Sequence, residues 1–167
     1  MKKIMILNGS PRKNGNTSTL IEKFCAGARQ EGNECEVFHL DSMNINGCKG
    51  CFGCDKNREY PCVQKDDMQK IYSSYRKADV VVLASPLYYW HLSGQLMIAI
   101  NRLLAVMRTN KDYHIDKDKK ESVLLMVAEG NEFELSVDYY NTLLSYIRWE
   151  NKGIICVGGV KLIIIKN

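Results

Sequence analysis

No apolar run in this chain approaches the roughly 18 residues that a membrane span requires. The opening run Ile4-Met5-Ile6-Leu7 is also shorter than the roughly 7 to 15 apolar residues at the centre of an export signal, so a strand is predicted there, in a soluble, cytoplasmic protein. Charge of one sign is scarce as well: the net charge is +4, with Lys/Arg and Asp/Glu intermixed. Lys111, Lys117, Lys119 and Lys120 share their stretch with Asp112, Asp116 and Asp118 and read as a solvated loop. With no strong basic bias and no base-stacking platform beside that loop, nucleic acid is not an expected partner. Internal repeats and low-complexity tracts are lacking. So are the Walker pattern G-x-x-x-x-G-K-[ST] and the dinucleotide turn G-x-G-x-x-G.

What is present is a regular alternation of short apolar runs and helical periodicities across 167 residues, a length that suits one domain spanning 1–167. Strands are predicted at Lys3 to Leu7, Glu34 to Leu40, Val80 to Ala84, Val123 to Val127 and Ile154 to Val157. Helices are predicted from Thr17, from Met68 behind the cap Asp66-Asp67, over Ser93 to Met107 with Leu96, Ile100, Leu103 and Leu104 on one stripe, and over Ser136 to Trp149. The continuous β-branched run at Val80-Val81-Val82 marks a strand buried on both faces of a parallel sheet. Together these predict an α/β fold, a doubly wound five-stranded parallel sheet of order 2-1-3-4-5. The ten residues after the fifth strand, Gly158 to Asn167, are β-branched rather than helix-forming, so the last helix is expected to be missing. An uncovered sheet face then predicts a homodimer or larger assembly that buries residues near Leu162 to Ile165.

The loop Gly9-Ser10-Pro11-Arg12-Lys13-Asn14-Gly15-Asn16-Thr17-Ser18 joins the first strand to the first helix. Backbone N–H groups and the positive helix end there suit a phosphate, with Ser10, Arg12, Asn16, Thr17 and Ser18 as further donors. The alternative is a polar turn in which Asn16 or Thr17 caps the helix. Ser85-Pro86-Leu87-Tyr88-Tyr89-Trp90-His91 follows the third strand and reaches the crevice where strand order reverses. Tyr88, Tyr89 and Trp90 offer π faces to a planar ligand, with backbone groups around Leu87 for its polar edge; alternatively they seal the core. Ala128-Glu129-Gly130-Asn131, after the fourth strand, is the third segment at that edge, and Glu129 suits water as well as a ligand. His39, His91 and His114 have no partner spacing, and only His91 lies where a substrate would pass.

Seven cysteines are present, and Cys48, Cys51, Cys54 and Cys62 form C-x2-C-x2-C-x7-C within a loop at 48–62. Without an export signal, reduced thiols or a metal fit better than disulfides. Three thiolates at two-residue intervals with a fourth nearby suit a [4Fe–4S] cube better than zinc, which takes separated pairs. Thiols without metal are the alternative, and Cys25, Cys35 and Cys156 read as core.

From Lys3 to about Val160 the sequence resembles the flavodoxin-like NAD(P)H-dependent FMN reductases. In that family GSPRKxGNT is the FMN phosphate loop, which assigns that role to Ser10, Arg12, Asn16, Thr17 and Ser18. The family's SPxYxxxxSGQLKxxxDR reads here as Ser85-Pro86-Leu87-Tyr88, Ser93-Gly94-Gln95-Leu96 and Asn101-Arg102. The resemblance thereby implies flavin contacts at Pro86, Leu87, Tyr88, Tyr89, Trp90, Glu129 and Gly130. The cysteine loop, ahead of Asp66-Asp67-Met68, is similar to that of the iron–sulfur flavoproteins. What the resemblance implies is an FMN-dependent oxidoreductase with NAD(P)H as co-substrate, passing electrons to a small-molecule or protein acceptor, through a [4Fe–4S] cluster if Cys48, Cys51, Cys54 and Cys62 hold one. A flavodoxin-like electron carrier without a nicotinamide site is the rival.

Overall fold

The structure, a computed structural model, describes residues 1–55, 61–107 and 119–161. Its strands are β1 (Lys3–Asn8), β2 (Glu34–His39), β3 (Val80–Pro86), β4 (Glu121–Val127) and β5 (Glu150–Val157). Helices α1 (Asn16–Gln30), α2 (Met68–Lys77), α3 (Gly94–Met107) and α4 (Glu134–Ile147) connect them. All pairs are parallel, in the order β2-β1-β3-β4-β5 expected from the sequence.

Side chains alternate across each strand, so one set of residues feeds each face. Met5, Leu7, Val81, Leu83, Leu124 and Met126 pack beneath α2, α3 and α4. Ile4, Ile6, Val80, Val82, Val123 and Leu125 pack against Ile21 and Cys25 of α1. The central strands β3 and β4 are nearly all buried, which is why they read as unbroken apolar runs.

Among the described residues no helix follows β5. The single helix α1 nevertheless buries Val123 and Leu125 of β4, so the exposed apolar strip is narrower than an open sheet face: Ile155 and Val157 of β5, 43% and 37% exposed. Beyond β5 the chain turns back over the strand ends, with Gly159 N–H donating to Glu129 O and Val160 N–H to Ala128 O. Leu162 to Ile165, expected to be buried, lie outside the described residues, as do His114 and most of the lysine-rich loop.

Two local expectations, at Lys120 and Leu104, are corrected, and the caps of α1 and α2 are resolved residue by residue. Lys120 is buried, its Nζ donating to Ala78 O at 2.7 Å and lying 4.6 Å from the Tyr75 ring centroid. Leu104 is exposed while Arg102, two residues earlier, is fully buried, because Asp66 waits on that side of α3. The residue that caps α1 is Gly15 rather than Asn16 or Thr17, and no side chain bonds there. At α2 it is Asp66 that accepts Met68 N–H, while Asp67 accepts Asn44 N–H instead.

Candidate functional site

The loop between β1 and α1 is held from below by polar groups at the strand end. Asn8 Oδ1 accepts Ser10 N–H at 2.9 Å, and Asn8 Nδ2 donates to Ser18 Oγ at 3.2 Å. The hydroxyls of Ser10 and Ser18 both donate to Arg12 O, curling the loop over the helix start. Gly9 N–H donates to Ala84 O, and a Cβ at Gly9 would strike Ser93 Oγ and lie 2.7 Å from Leu96 Cβ. Only glycine permits this approach, so the first loop rests directly on the start of α3.

This loop is a set of donors without a competing anion. Arg12 and Lys13 are exposed, there is no acidic residue in the first turn of α1, and residues 9–18 contain neither Asp nor Glu. Thr17 is buried, and among the described residues its hydroxyl makes no hydrogen bond; nor does the Arg12 guanidinium. The first-turn N–H groups of an α-helix lack partners within the helix, and the Gly15 cap supplies none. A terminal phosphate dianion matches that chemistry. Three of the side chains are engaged within the chain: the Ser10 and Ser18 hydroxyls donate to Arg12 O, and Asn16 Nδ2 donates to Lys161 O at 3.3 Å.

The second loop is locked to the first. Ser93 Oγ donates to Gly9 O at 2.7 Å and accepts Leu96 N–H, while Ser93 N–H donates to Ser85 Oγ at 2.8 Å. Between Ser85 and Ser93 the chain makes a two-residue turn in which Tyr88 and His91 exchange both backbone hydrogen bonds, at 2.9 and 3.0 Å. Leu87 N–H donates to Val127 O. The backbone expected to meet a ligand edge around Leu87 is therefore engaged at Leu87 N–H and Tyr88, leaving the N–H groups of Tyr89 and Trp90. Tyr88, Tyr89 and Trp90 are exposed and do not seal the core. In the third segment Glu129 is exposed and its carbonyl is taken by Gly159. The half-buried Gly130 backbone completes the rim.

Asn8 is a site residue that reading the sequence did not single out, and a lone Asn at the end of an apolar strand is its only local signal. Ser93 stands in the motif Ser93-Gly94-Gln95-Leu96, but its bond to Gly9 depends on a partner 84 residues away.

The cysteine loop is fastened at its base. Arg102 Nη1 and Nη2 reach Asp66 at 2.6 and 3.0 Å, and Nη1 also donates to Asn46 O at 2.7 Å. These two side chains are 1% and 2% exposed. Burial pushes the Asp66 carboxyl up, but Arg102 and the N–H groups of Asn46 and Met68 outweigh it and hold its pKa below the ordinary value. Tyr72 OH donates to Arg102 O, and Gln64 Nε2 to Gly47 O. Within the loop Cys48 and Cys51 are exposed and Cys54 and Cys62 half-buried; among the described residues no three His, Cys, Asp or Glu side chains converge as metal ligands. The four thiols as placed do not form a cluster site. Cys25 is core as expected, and burial, then the neighbouring Cys35 thiol, push its pKa up to about 12.

A doubly wound sheet with an acid-free, donor-rich loop at its first βα turn, facing an aromatic loop across the switch point, has the architecture in which open α/β sheets take ligands. Residues 2–133 match the family described as NADPH-dependent FMN reductase, and the chain belongs to that family. An iron-sulfur flavoprotein of Archaeoglobus fulgidus is 40% identical over 104 residues, 62% of this chain and 46% of the relative. The chain spans about half the length of the curated relatives it matches. Among solved structures, RosB with a bound 8-demethyl-8-formylriboflavin-5'-phosphate intermediate superposes with a TM-score of 0.77 at 20% identity, covering 96% of this chain and 67% of that one. An NAD(P)H:quinone oxidoreductase from Methanothermobacter marburgensis gives 0.72 at 16% identity, covering 96% and 88%.

Proposed function

We propose that this chain is an FMN-dependent oxidoreductase that takes electrons from NAD(P)H and delivers them to a small-molecule or protein acceptor. The observation that carries this reading is the acid-free loop at the start of α1, in which, among the described residues, neither the Thr17 hydroxyl nor the Arg12 guanidinium makes a hydrogen bond. Family membership and the flavoprotein relatives support it.

When bound, FMN supplies the hydride and electron chemistry. The protein's part is to hold and orient it. Ser10, Arg12, Thr17 and Ser18, with the N–H groups of the first turn of α1, hold the phosphate. The Ser10 and Ser18 hydroxyls would turn to it from Arg12 O, and Asn16 offers the second N–H of its amide. Ser93, bonded to both Gly9 and Ser85, fixes the distance between the phosphate loop and the loop Pro86-Leu87-Tyr88 that borders the ring. The N–H groups of Tyr89, Trp90, Glu129 and Gly130 are the donors left for the ring's polar edge. His91 Nδ1 accepts Leu92 N–H at 2.9 Å, which leaves the proton on Nε2 for a neighbouring acceptor. Spectrophotometric titration with FMN, followed by anaerobic addition of NADH or NADPH, tests the reading: retained flavin that bleaches supports it, and protein that retains no flavin overturns it.

A second reading adds a [4Fe–4S] cluster at Cys48, Cys51, Cys54 and Cys62. Its support is the C-x2-C-x2-C-x7-C spacing and the iron-sulfur naming of the relatives, set against thiols that do not converge. Anaerobic reconstitution with iron and sulfide decides it: about four irons per chain, lost in Cys51→Ser, establish the cluster, and iron-free protein removes it. A homodimer that covers Ile155 and Val157 is the assembly this reading favours.

A further inference from the structure

Two cysteines outside the loop at 48–62 meet across the fold. Cys25 stands on the inner face of α1 at 3% exposure, and Cys35 enters the same apolar cluster from β2, where it pairs with Ile4 of β1. Their side chains are hydrogen-bonded to one another, and both thiols are free. Only the end of α1 and the turn at Gly32, with φ +75°, separate them along the chain. Cys35 is the second residue of β2, so the pair lies toward the amino-terminal end of the sheet, opposite the loops that form the candidate flavin site.

The two thiols differ in access. Cys25 is enclosed, and burial, then the Cys35 thiol, keeps its proton on and makes it slow toward reagents in solvent. Cys35 is half-buried and lines an open cleft of about 290 Å3 together with Lys3, Glu34, Glu36, Ser74 and Lys77. Glu36 is engaged by the Ser74 hydroxyl at 2.6 Å. A reagent entering this cleft meets Cys35 first, and the ammonium groups of Lys3 and Lys77 suit the carboxylates of a small peptide disulfide. A disulfide needs its sulfurs at about 2.05 Å, closer than two thiols in contact. The strand that must yield is β2, an edge strand hydrogen-bonded to the sheet on one side only.

We propose that Cys25 and Cys35 form a dithiol site that a low-molecular-weight disulfide of the glutathione class oxidises to an intramolecular disulfide. The Cys35 sulfur attacks one sulfur of the reagent, gives up its proton, and releases the first reagent thiol. The Cys25 sulfur then attacks Cys35 in the mixed disulfide, gives up its own proton, and releases the second. Two protein thiols lose two electrons and two protons, and one reagent disulfide becomes two thiols. The site shares no residue with the flavin loops, so it operates with or without bound FMN.

The test treats the full chain anaerobically with oxidised glutathione, then blocks remaining thiols with iodoacetamide and maps every cysteine by mass spectrometry after cleavage that separates Cys35 from Cys48. In wild type the expected product is a Cys25–Cys35 cross-link with no glutathione on either residue, reversed by dithiothreitol. Cys25→Ala is expected to stop at the intermediate, raising the glutathione adduct on Cys35 at least about tenfold over wild type. Cys35→Ala is expected to leave Cys25 without an adduct. Circular dichroism of each variant checks that it is folded, and the wild-type map decides the question even where a variant is not. A stable glutathione adduct on Cys35 of wild type overturns the proposal, because Cys25 then fails to close the bond. So does wild type in which Cys25 and Cys35 stay reduced while the exposed Cys48 and Cys51 react, which would make the pair two small core side chains.

Discussion

Replacing Arg102 by methionine keeps a long apolar stem in place and deletes the charge, leaving Asp66 buried without its main partner. The carboxylate would lose two guanidinium bonds, at 2.6 and 3.0 Å, and Asn46 O would lose the Arg102 donor it holds at 2.7 Å. It would keep N–H donors from Asn46 and Met68, each at 3.2 Å. Removing one partner of a buried pair costs about 3–5 kcal/mol, and the two remaining donors place this case near 3. Urea unfolding followed by circular dichroism measures it, with Arg102→Met/Asp66→Leu as the control in which neither charge remains and most of the loss is recovered. The pH dependence carries its own sign. Asp66 has a folded pKa below its ordinary 3.8, so its contribution is present above that value and is lost as pH falls through the folded pKa. In Arg102→Met burial acts with less opposition and raises the Asp66 pKa, so the stability gap between wild type and variant is expected to narrow on acidification to about pH 3. A loss below about 1 kcal/mol at neutral pH with unchanged m-value, or a gap that widens in acid, would refute the assignment of this pair as the fastener of the cysteine loop.

Arg12→Ala is expected to weaken FMN binding by about 1.5–3 kcal/mol through loss of a charge-assisted phosphate contact, measured by flavin fluorescence titration; full-strength binding removes Arg12 from the site. Gly9→Ala should destabilise the chain by about 1–3 kcal/mol in urea unfolding and weaken FMN binding, because its Cβ separates the phosphate loop from Ser93 and Leu96; a neutral effect on both contradicts the close approach. In brief alkylation at pH 8 followed by mass spectrometry, exposed Cys48 and Cys51 should label quickly and Cys25, with its pKa near 12, slowly. Equal labelling of all three would contradict the placement of Cys25 in the core.

The sheet and its order were legible because parallel strands buried on both faces must be continuous apolar runs, as in Val80-Val81-Val82, and because helices intervene between them. The donors of the loop Gly9 to Ser18 are visible in the sequence because they are neighbours in the chain. Arg102 is visible as the end of the motif Asn101-Arg102, but not its burial, since the partner that draws it inward is 36 residues away. Lys120 looked solvated because the Ala78 carbonyl that receives it belongs to another element. The aromatic turn was visible as composition but not as conformation: nothing in Tyr89-Trp90 announces positive φ, a geometry that glycine usually advertises. The cysteine spacing was visible too, yet spacing along a chain does not fix where side chains meet.

The most direct test follows the flavin absorption band of FMN-loaded wild type during anaerobic addition of NADPH, after desalting has removed unbound flavin. Flavin held at one equivalent per chain and bleached by stoichiometric nicotinamide is the expected result. Flavin lost on desalting would contradict the phosphate cradle at Ser10 to Ser18, and flavin retained but left oxidised by both NADPH and NADH would make the protein a carrier rather than a reductase.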